Sequence, residues 1–202
     1  MEKENYIQDL KNINQMMIKS TPFLSLSGIS GILVGIYALI GGYFANTFIQ
    51  KKQIVDYNTD RHSIALILFI AFMVLLMSII TAVYFSFKKA KKNNESLFNS
   101  SSKQVLISFL IPLLAGATVL FLVLKTEHFR FLVPFALLFY GLACENASKY
   151  TYRNVRYLGI IMILLGILGF QFNEYSLLFW YLGFGISHIV YGTWMYFKYD
   201  RN

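Results

Sequence analysis

The chain has 202 residues, of which 56% are hydrophobic and only 14% are charged, and its mean hydropathy is +0.53. Soluble domains carry about 25% charged and about 45–50% apolar residues, so the composition excludes a soluble fold. The 3 Pro and 13 Gly exclude a collagen-like or low-complexity chain, and the hydrophobic content excludes disorder. Because Cys144 is the single cysteine, an internal disulfide and a thiolate metal cluster are also excluded.

A polar segment, residues 1–21, opens the chain. It carries apolar side chains at a helical spacing, at Tyr6, Leu10, Ile13 and Met17, which predicts an amphipathic helix. We expect this helix to lie on the lipid headgroups, with partner binding or curvature sensing as the alternative. Acidic and basic residues are mixed in the segment without an apolar run, so it is not a cleavable signal peptide, and we expect it to be retained.

Six apolar stretches follow, each bounded by charged residues. Their lengths can be compared with the roughly 20 residues that a helix needs to cross a bilayer core of about 30 Å. They cover residues 23–48, 64–87, 105–124, 129–147, 155–170 and 175–197. Continuous apolar stretches favour helices, since the strands of a barrel alternate polar and apolar residues. We therefore predict an all-α integral membrane protein, with residues 22–202 as one bundle of six transmembrane helices.

The distribution of basic residues predicts the orientation of this bundle. Most of the 18 Lys and Arg fall in the termini and in the loops on one side, and such loops are normally cytoplasmic. The other side holds only Lys51, Lys52, Arg61, Lys125 and Arg130. Both termini are therefore expected in the cytoplasm. The small size, the Lys-, Asn- and Ile-rich composition and the absence of organelle signals favour a bacterial cytoplasmic (inner) membrane.

The net charge of +8 follows mostly from this topology. The basic residues are dispersed and match no nucleic-acid-binding motif, so no nucleic acid is expected as a partner. The expected partner is the bilayer itself, and anionic lipid headgroups attract basic groups at about 1 kcal/mol per charge. The candidate contacts are Lys88, Lys89, Lys91, Lys92, Lys149, Arg153 and Arg156.

Small residues mark two candidate packing faces. Ser27, Gly31 and Gly35 follow one another at four-residue spacing in the first stretch, which lets a neighbouring backbone approach closely. Gly185 and Gly192 stand on either side of His188 in the sixth stretch. We expect both sets to be seams between helices.

Polar residues cluster in the predicted cytoplasmic half of the bundle. At 1.5 Å per residue, they fall within roughly 15 Å of the cytoplasmic face: Ser30, Ser78, Thr81, Ser108, Tyr140, Glu145, Ser187 and His188. If these groups converge, they line a cavity that opens to the cytoplasm. If each serine or threonine bonds to the backbone of its own helix, there is no such cavity.

Glu145 and His188 are the candidate charge-handling groups of this set, because an ionisable residue inside the membrane is costly and normally faces the bundle interior. The structural alternatives stay open for both. His188 as a neutral imidazole bridges two helices by hydrogen bonds, and Glu145 pairs with Lys149 four residues later. No metal is expected, since the histidines lack ligand spacing, and no cofactor is expected, since nucleotide-binding loops are absent.

One short motif has an enzymatic parallel. Gly28-Ile29-Ser30-Gly31, together with His188 in the sixth helix, resembles the Gly-x-Ser-Gly and histidine pair of rhomboid intramembrane proteases. The resemblance implies a six-helix hydrolase in which Ser30 and His188 form a dyad. The motif departs from that family in position, because the rhomboid serine lies in the fourth helix and faces the opposite side of the membrane.

These observations favour a non-enzymatic protein that binds or transports a small solute or ion through a cytoplasm-facing cavity. The alternative is a non-transporting membrane sensor, scaffold or accessory subunit, and the more remote one is an intramembrane hydrolase. Each of these three functions is compatible with a homo-oligomer or with a partner membrane protein.

Overall fold

A computed structural model describes residues 23–51, 61–93 and 100–201, with the side chains at 49–51 and 61–63 excepted. The predicted amphipathic helix at residues 1–21 lies outside this range. Within it, every regular element is a helix, which confirms the all-α prediction.

Six long helical regions make up the bundle. The first five are α1 (Gly28–Lys51), α2 (Arg61–Lys92), α3 (Ser100–Lys125), α4 (Leu132–Ala147) and α5 (Asn154–Gln171). The sixth, α6, runs through residues 176–200 as four consecutive pieces, Ser176–Trp180, Tyr181–Ser187, His188–Met195 and Tyr196–Asp200. Single 3₁₀ turns at Phe129–Phe131, Ser148–Tyr150 and Asn173–Tyr175 flank α4 and precede α6.

Five of these regions are long and apolar enough to cross a membrane. They are Gly28–Phe48, Ile64–Lys92, Ser100–Lys125, Phe129–Tyr150 and Asn154–Gln171. α6 has a comparable length, but it alternates between α-helical pieces and the π-helical pieces Tyr181–Ser187 and Tyr196–Asp200. The predicted set of membrane-compatible helices is thus confirmed in outline.

Three predicted helix boundaries differ from the structure by five residues. One is the start of α3, which lies at Ser100 and not at Val105. The first helix starts at Gly28 and not at Phe23, because residues 23–27 have no regular secondary structure. α2 continues to Lys92 instead of ending at Phe87, since lysines are good helix formers and the exposed Lys88, Lys91 and Lys92 reach solvent from the helix terminus.

Four helices form the centre of the bundle, and two flank it. α4 packs against α5, and α1 packs against α6, whereas α2 rests on α1 and α3 rests on α4. In the most apolar 18-residue segment of α2, and likewise of α3, only 6% of the residues are buried. In the corresponding segment of α1, 44% are buried. The core includes the fully buried Leu137, Met162 and Met195.

Glycines bring the backbones of α1 and α6 into contact. A Cβ on Gly35 would lie 2.6 Å from the carbonyl oxygen of Gly185. A Cβ on Gly192 would lie 2.4 Å from the Ile32 nitrogen. Gly31 also faces Gly192, so four of the five predicted packing residues meet across this seam. Ser27 precedes α1 and makes a different contact, with Asp200.

The two ends of the bundle differ in charge. We call the end at which α1 and α5 begin and α2, α4 and α6 finish the basic end. Most of the described lysines and arginines lie there, while Lys125 and Arg130 lie at the opposite end. The basic residues that the sequence predicts on one side of the membrane therefore lie together at one end of the bundle.

Candidate functional site

Tyr140 of α4 and His188 of α6 meet inside the bundle, and we call this pair the polar centre. The Tyr140 hydroxyl lies 2.8 Å from Nε2 of His188. On its other side, Nδ1 of His188 lies 3.3 Å from the carbonyl oxygen of Gly183. A carbonyl only accepts hydrogen bonds, so Nδ1 carries the proton and donates to Gly183, and in a neutral imidazole Tyr140 donates to Nε2.

Apolar and aromatic side chains surround this pair. His188 is only 3% exposed, and the Tyr140 ring makes edge contacts with Phe109 at 5.7 Å and Phe184 at 5.5 Å. Phe184 in turn lies 4.8 Å from Trp180, measured between ring centroids. The pair is thus a hydrogen-bonded polar group in a setting that is otherwise apolar, where breaking its bond leaves a polar atom unpaired.

The backbone beside the polar centre has an unusual geometry. Tyr181–Ser187 is π-helical and ends directly before His188. Its wider turn explains why His188 Nδ1 reaches the carbonyl five residues earlier, at Gly183. π-Helical turns within α-helices occur frequently at functional sites.

Cys144 belongs to the same region but was not among the predicted site residues. It follows Tyr140 by one turn of α4, which places the two side chains on the same face of that helix. The side chain is 2% exposed. The i, i+4 spacing from Tyr140 is the sequence signal that places Cys144 in this region.

The predicted hydroxyl groups do not join this centre. Three serines donate to carbonyl oxygens a few residues earlier in the chain, namely Ser30 to Ser27, Ser78 to Val74 and Ser187 to Leu182. Thr81 instead donates to the Tyr37 hydroxyl at 3.3 Å. At Ser108, the backbone carbonyl accepts a hydrogen bond from Asn146. The three serines therefore satisfy themselves locally, as in the alternative without a shared cavity.

Ser30 and His188, the pair suggested by the rhomboid resemblance, also have separate partners. Ser30 donates to the Ser27 carbonyl at 2.6 Å, and both ring nitrogens of His188 are engaged by Tyr140 and Gly183. The structure does not bring the two side chains together as a hydrogen-bonded dyad.

The pairing of Glu145 with Lys149, the structural alternative for this carboxylate, is not observed in the structure. Glu145 lies 3.8 Å from Nε of Arg156, and Lys149 donates to the Asn146 side chain at 3.3 Å. The reason is that α4 ends at Ala147 and a 3₁₀ turn follows, in which residues three apart eclipse each other. Glu145 is partly exposed near the basic end and takes no part in the polar centre.

A second polar group closes the basic end around residues 23–27, which we call the strap. Phe23 and Ser25 of the strap are buried. The backbone nitrogen of Phe23 donates to the Tyr150 carbonyl at 2.8 Å. The hydroxyls of Thr151 and Tyr152 donate to the carbonyls of Phe23 and Leu24, at 2.6 and 2.5 Å. The segment between α4 and α5 therefore holds the strap by hydrogen bonds to its main chain.

An ion pair completes the attachment of the strap. Lys89 Nζ lies 2.7 Å from Asp200 Oδ1, and the two side chains are 11% and 9% exposed. Lys89 also donates to the Leu26 carbonyl at 2.9 Å. Asp200 Oδ2 accepts from the Gly28 nitrogen at 2.7 Å and from Ser27 Oγ at 3.2 Å. A carboxylate in this position caps the positive end of the α1 dipole.

This arrangement corrects the expectation for Lys89. The sequence predicted that Lys89 contacts lipid headgroups, but its ammonium donates hydrogen bonds to Leu26, Tyr152 and Asp200. The other candidate contacts for headgroups are exposed at the basic end: Lys88, Lys91, Lys92, Lys149, Arg153 and Arg156. Asp200 was not predicted, although it is the one acidic residue among the basic residues of the last turn.

A cleft of about 370 Å³ lies at the opposite end, between the start of α2 and the end of α3, with Leu68, Leu124 and Phe129 in its wall. It is separate from the polar centre. Among the residues that the structure describes, no group of three or more His, Cys, Asp or Glu is arranged to hold a metal ion. Comparison of the chain with protein-family models, with curated proteins and with solved structures finds no match.

Proposed function

We propose that the chain is a multi-pass protein of a bacterial inner membrane, with six crossings and the basic end in the cytoplasm. The support is the apolar surface of α2 and α3, whose large side chains are exposed along both helices, together with the basic residues gathered at one end. The protein should therefore stay in the membrane pellet during alkaline carbonate extraction. Release into the supernatant would contradict the proposal.

Within this bundle, the polar centre is the proposed site at which a small solute or ion is bound or transported. One observation carries the proposal: His188 is buried, bonded to Tyr140 and placed directly after a π-helical stretch. An ionisable residue inside a membrane bundle marks a functional site by default, and the π-helical turn is the second sign of such a site.

The chemistry of the pair suits this role. Tyr140 and His188 each have a hydrogen-bonding atom that the other now occupies. A solute with both a donor and an acceptor, such as a hydroxyl group, would insert between them, donate to Nε2 and accept from Tyr140, so that neither side chain is left unpaired. Phe109 and Phe184 would contact the apolar part of the solute, since they already pack on Tyr140.

The test uses Cys144 as a native reporter beside Tyr140. Inside-out vesicles are treated with the small cationic thiol reagent trimethylammonium-ethyl methanethiosulfonate. The matched control is Ala38→Cys in a Cys144→Ala chain, because Ala38 is also buried, at 1% exposed, but lies in α1, where its carbonyl accepts a hydrogen bond from Trp180. We expect Cys144 to react under native conditions and the control to stay unmodified.

Two outcomes would count against a solute site at the polar centre. One is that Cys144 reacts only after denaturation. The other is that Cys144 and the control cysteine react at the same rate, which would indicate general breathing of the bundle. A third arm checks the role of the imidazole, since His188→Phe should slow the reaction by removing the polar partner of an entering cation.

A sensor, scaffold or accessory subunit is the second candidate, and the placement of α2 and α3 favours it. Each of these helices rests mainly on one neighbour, and the described residues leave most of its apolar surface uncovered. A partner helix would then pack on residues such as Phe72, which is 55% exposed. In this case Phe72→Ala should reduce co-purification of a membrane partner, while His188→Phe should leave it unchanged.

A further inference from the structure

The strap has no regular secondary structure, so its backbone groups must find partners outside itself. The partners come from three separate parts of the chain: α2 supplies Lys89, the segment between α4 and α5 supplies Thr151 and Tyr152, and α6 supplies Asp200. The bonds are specific hydrogen bonds to the strap and to the first turn of α1. Such a segment can leave its place without unfolding a helix.

Lys89 and Asp200 bear the charges of this attachment. The three donor positions of the Lys89 ammonium are matched by Leu26, Tyr152 and Asp200. Both carboxylate oxygens of Asp200 also accept hydrogen bonds, one from Lys89 and the other from Ser27 and Gly28. Loss of either side chain would leave the other as an almost buried charge without its counter-ion.

A buried ion pair adds little net stability compared with apolar packing, and its best-attested use is to specify one arrangement over another. Here it joins the end of α2, the end of α6 and the strap, at the end of the bundle where α6 is π-helical. The geometry therefore favours a contact that fixes the position of the strap over one that only stabilises the core.

We propose that Lys89 and Asp200 form a latch that holds the strap in the basic end and thereby slows, without sealing, entry of small molecules from that end to the polar centre. Release of the latch lets the strap move out while the helices stay folded. The effect on entry rests on the proposed function, whereas the latch itself is a property of the strap and is tested separately.

The experiment measures the accessibility of the strap. Ser25 is 0% exposed, so Ser25→Cys in a Cys144→Ala chain places a residue of similar size at a protected position. Inside-out vesicles are treated with a bulky, membrane-impermeant maleimide, and the labelling rate is followed with and without Asp200→Asn or Lys89→Met. The matched control is Lys91→Met, which removes a positive charge from an exposed position on the same helix.

We expect Asp200→Asn and Lys89→Met each to raise the labelling rate of the cysteine at position 25 by about tenfold or more, because each leaves a buried charge unpaired. Lys91→Met should leave the rate unchanged. The double variant, which removes both charges, should label more slowly than Lys89→Met alone. A parallel chain with Met162→Cys reports on folding and should stay unlabelled in all variants.

Three results would overturn the latch. They are an unchanged rate at position 25, an equal increase with Lys91→Met, and labelling at position 162 together with position 25, which would show that the ion pair only stabilises the fold. The proposed function fails independently, when Cys144 of the otherwise native chain does not react with the small cation. A strap that responds while Cys144 does not would support the latch and refute the solute site.

Discussion

The glycine seam between α1 and α6 should tolerate no added methyl group at Gly192. A Cβ there would lie 2.4 Å from the Ile32 nitrogen and 2.6 Å from the Gly28 carbonyl oxygen, whereas ordinary contacts begin at 3.4 Å. Both atoms belong to the backbone and cannot rotate away. The two helices must therefore separate by about 1 Å to restore the ordinary distance.

Overpacking of this kind costs about 1–3 kcal/mol, and the higher helix propensity of alanine offsets about 1 kcal/mol. Since rigid backbone lies on both sides, we expect Gly192→Ala to lower the free energy of unfolding by about 1–2 kcal/mol. The assay is reversible unfolding in mixed detergent micelles, followed by circular dichroism during titration with sodium dodecyl sulfate.

Gly169→Ala provides the matched control. Gly169 is buried in α5, but a Cβ there would meet the Pro134 ring at 3.2 Å and Phe179 at 3.6 Å. Both neighbours are side chains that need to move little, so this variant should be as stable as the wild type or slightly more stable. The reasoning is refuted if Gly192→Ala unfolds at the same detergent fraction as Gly169→Ala.

Further substitutions test three other contacts in the same unfolding assay. Tyr140→Phe should lower stability by about 1–3 kcal/mol, because His188 Nε2 loses its partner. The double variant Tyr140→Phe, His188→Phe should lose less stability than the sum of the two single variants. A loss equal to that sum would argue against the hydrogen bond. Thr151→Val should cost about 1 kcal/mol through loss of the hydrogen bond to the Phe23 carbonyl, and an unchanged stability would show that the strap is not held there. Glu145→Gln should change stability by less than about 0.5 kcal/mol, since its ion pair with Arg156 is long and exposed, and a larger loss would restore a structural role for this carboxylate.

Hydropathy was sufficient to predict that the helices exist, but it did not predict the strap. Residues 23–27 continue the apolar stretch of α1, and apolarity alone does not separate a buried extended segment from a buried helix. The helical start at Gly28 depends on Asp200, which caps it from 172 residues away. No local pattern contains that partner.

The ion pair of Lys89 with Asp200 is also a long-range contact, which is why the sequence did not predict it. Lys89 is indistinguishable from Lys88, Lys91 and Lys92 in the local pattern, and only its contact with Asp200, 111 residues later, sets it apart.

The polar centre was predicted in part. Its two members, Tyr140 and His188, were both among the candidate residues, because polar groups are conspicuous in apolar helices. Their pairing was not predicted, since it depends on the π-helical stretch before His188, for which the sequence carries no recognised signal.

The most direct test of the account is the sidedness of the two ends of the bundle. Lys91→Cys and Lys125→Cys are made separately in a Cys144→Ala chain, because both positions are exposed and lie at opposite ends. A membrane-impermeant maleimide is applied to right-side-out and to inside-out vesicles. The account predicts that position 91 labels only in inside-out vesicles and position 125 only in right-side-out vesicles. Labelling of both positions from the same side would contradict the transmembrane bundle, and with it the cytoplasmic placement of the latch and the polar centre.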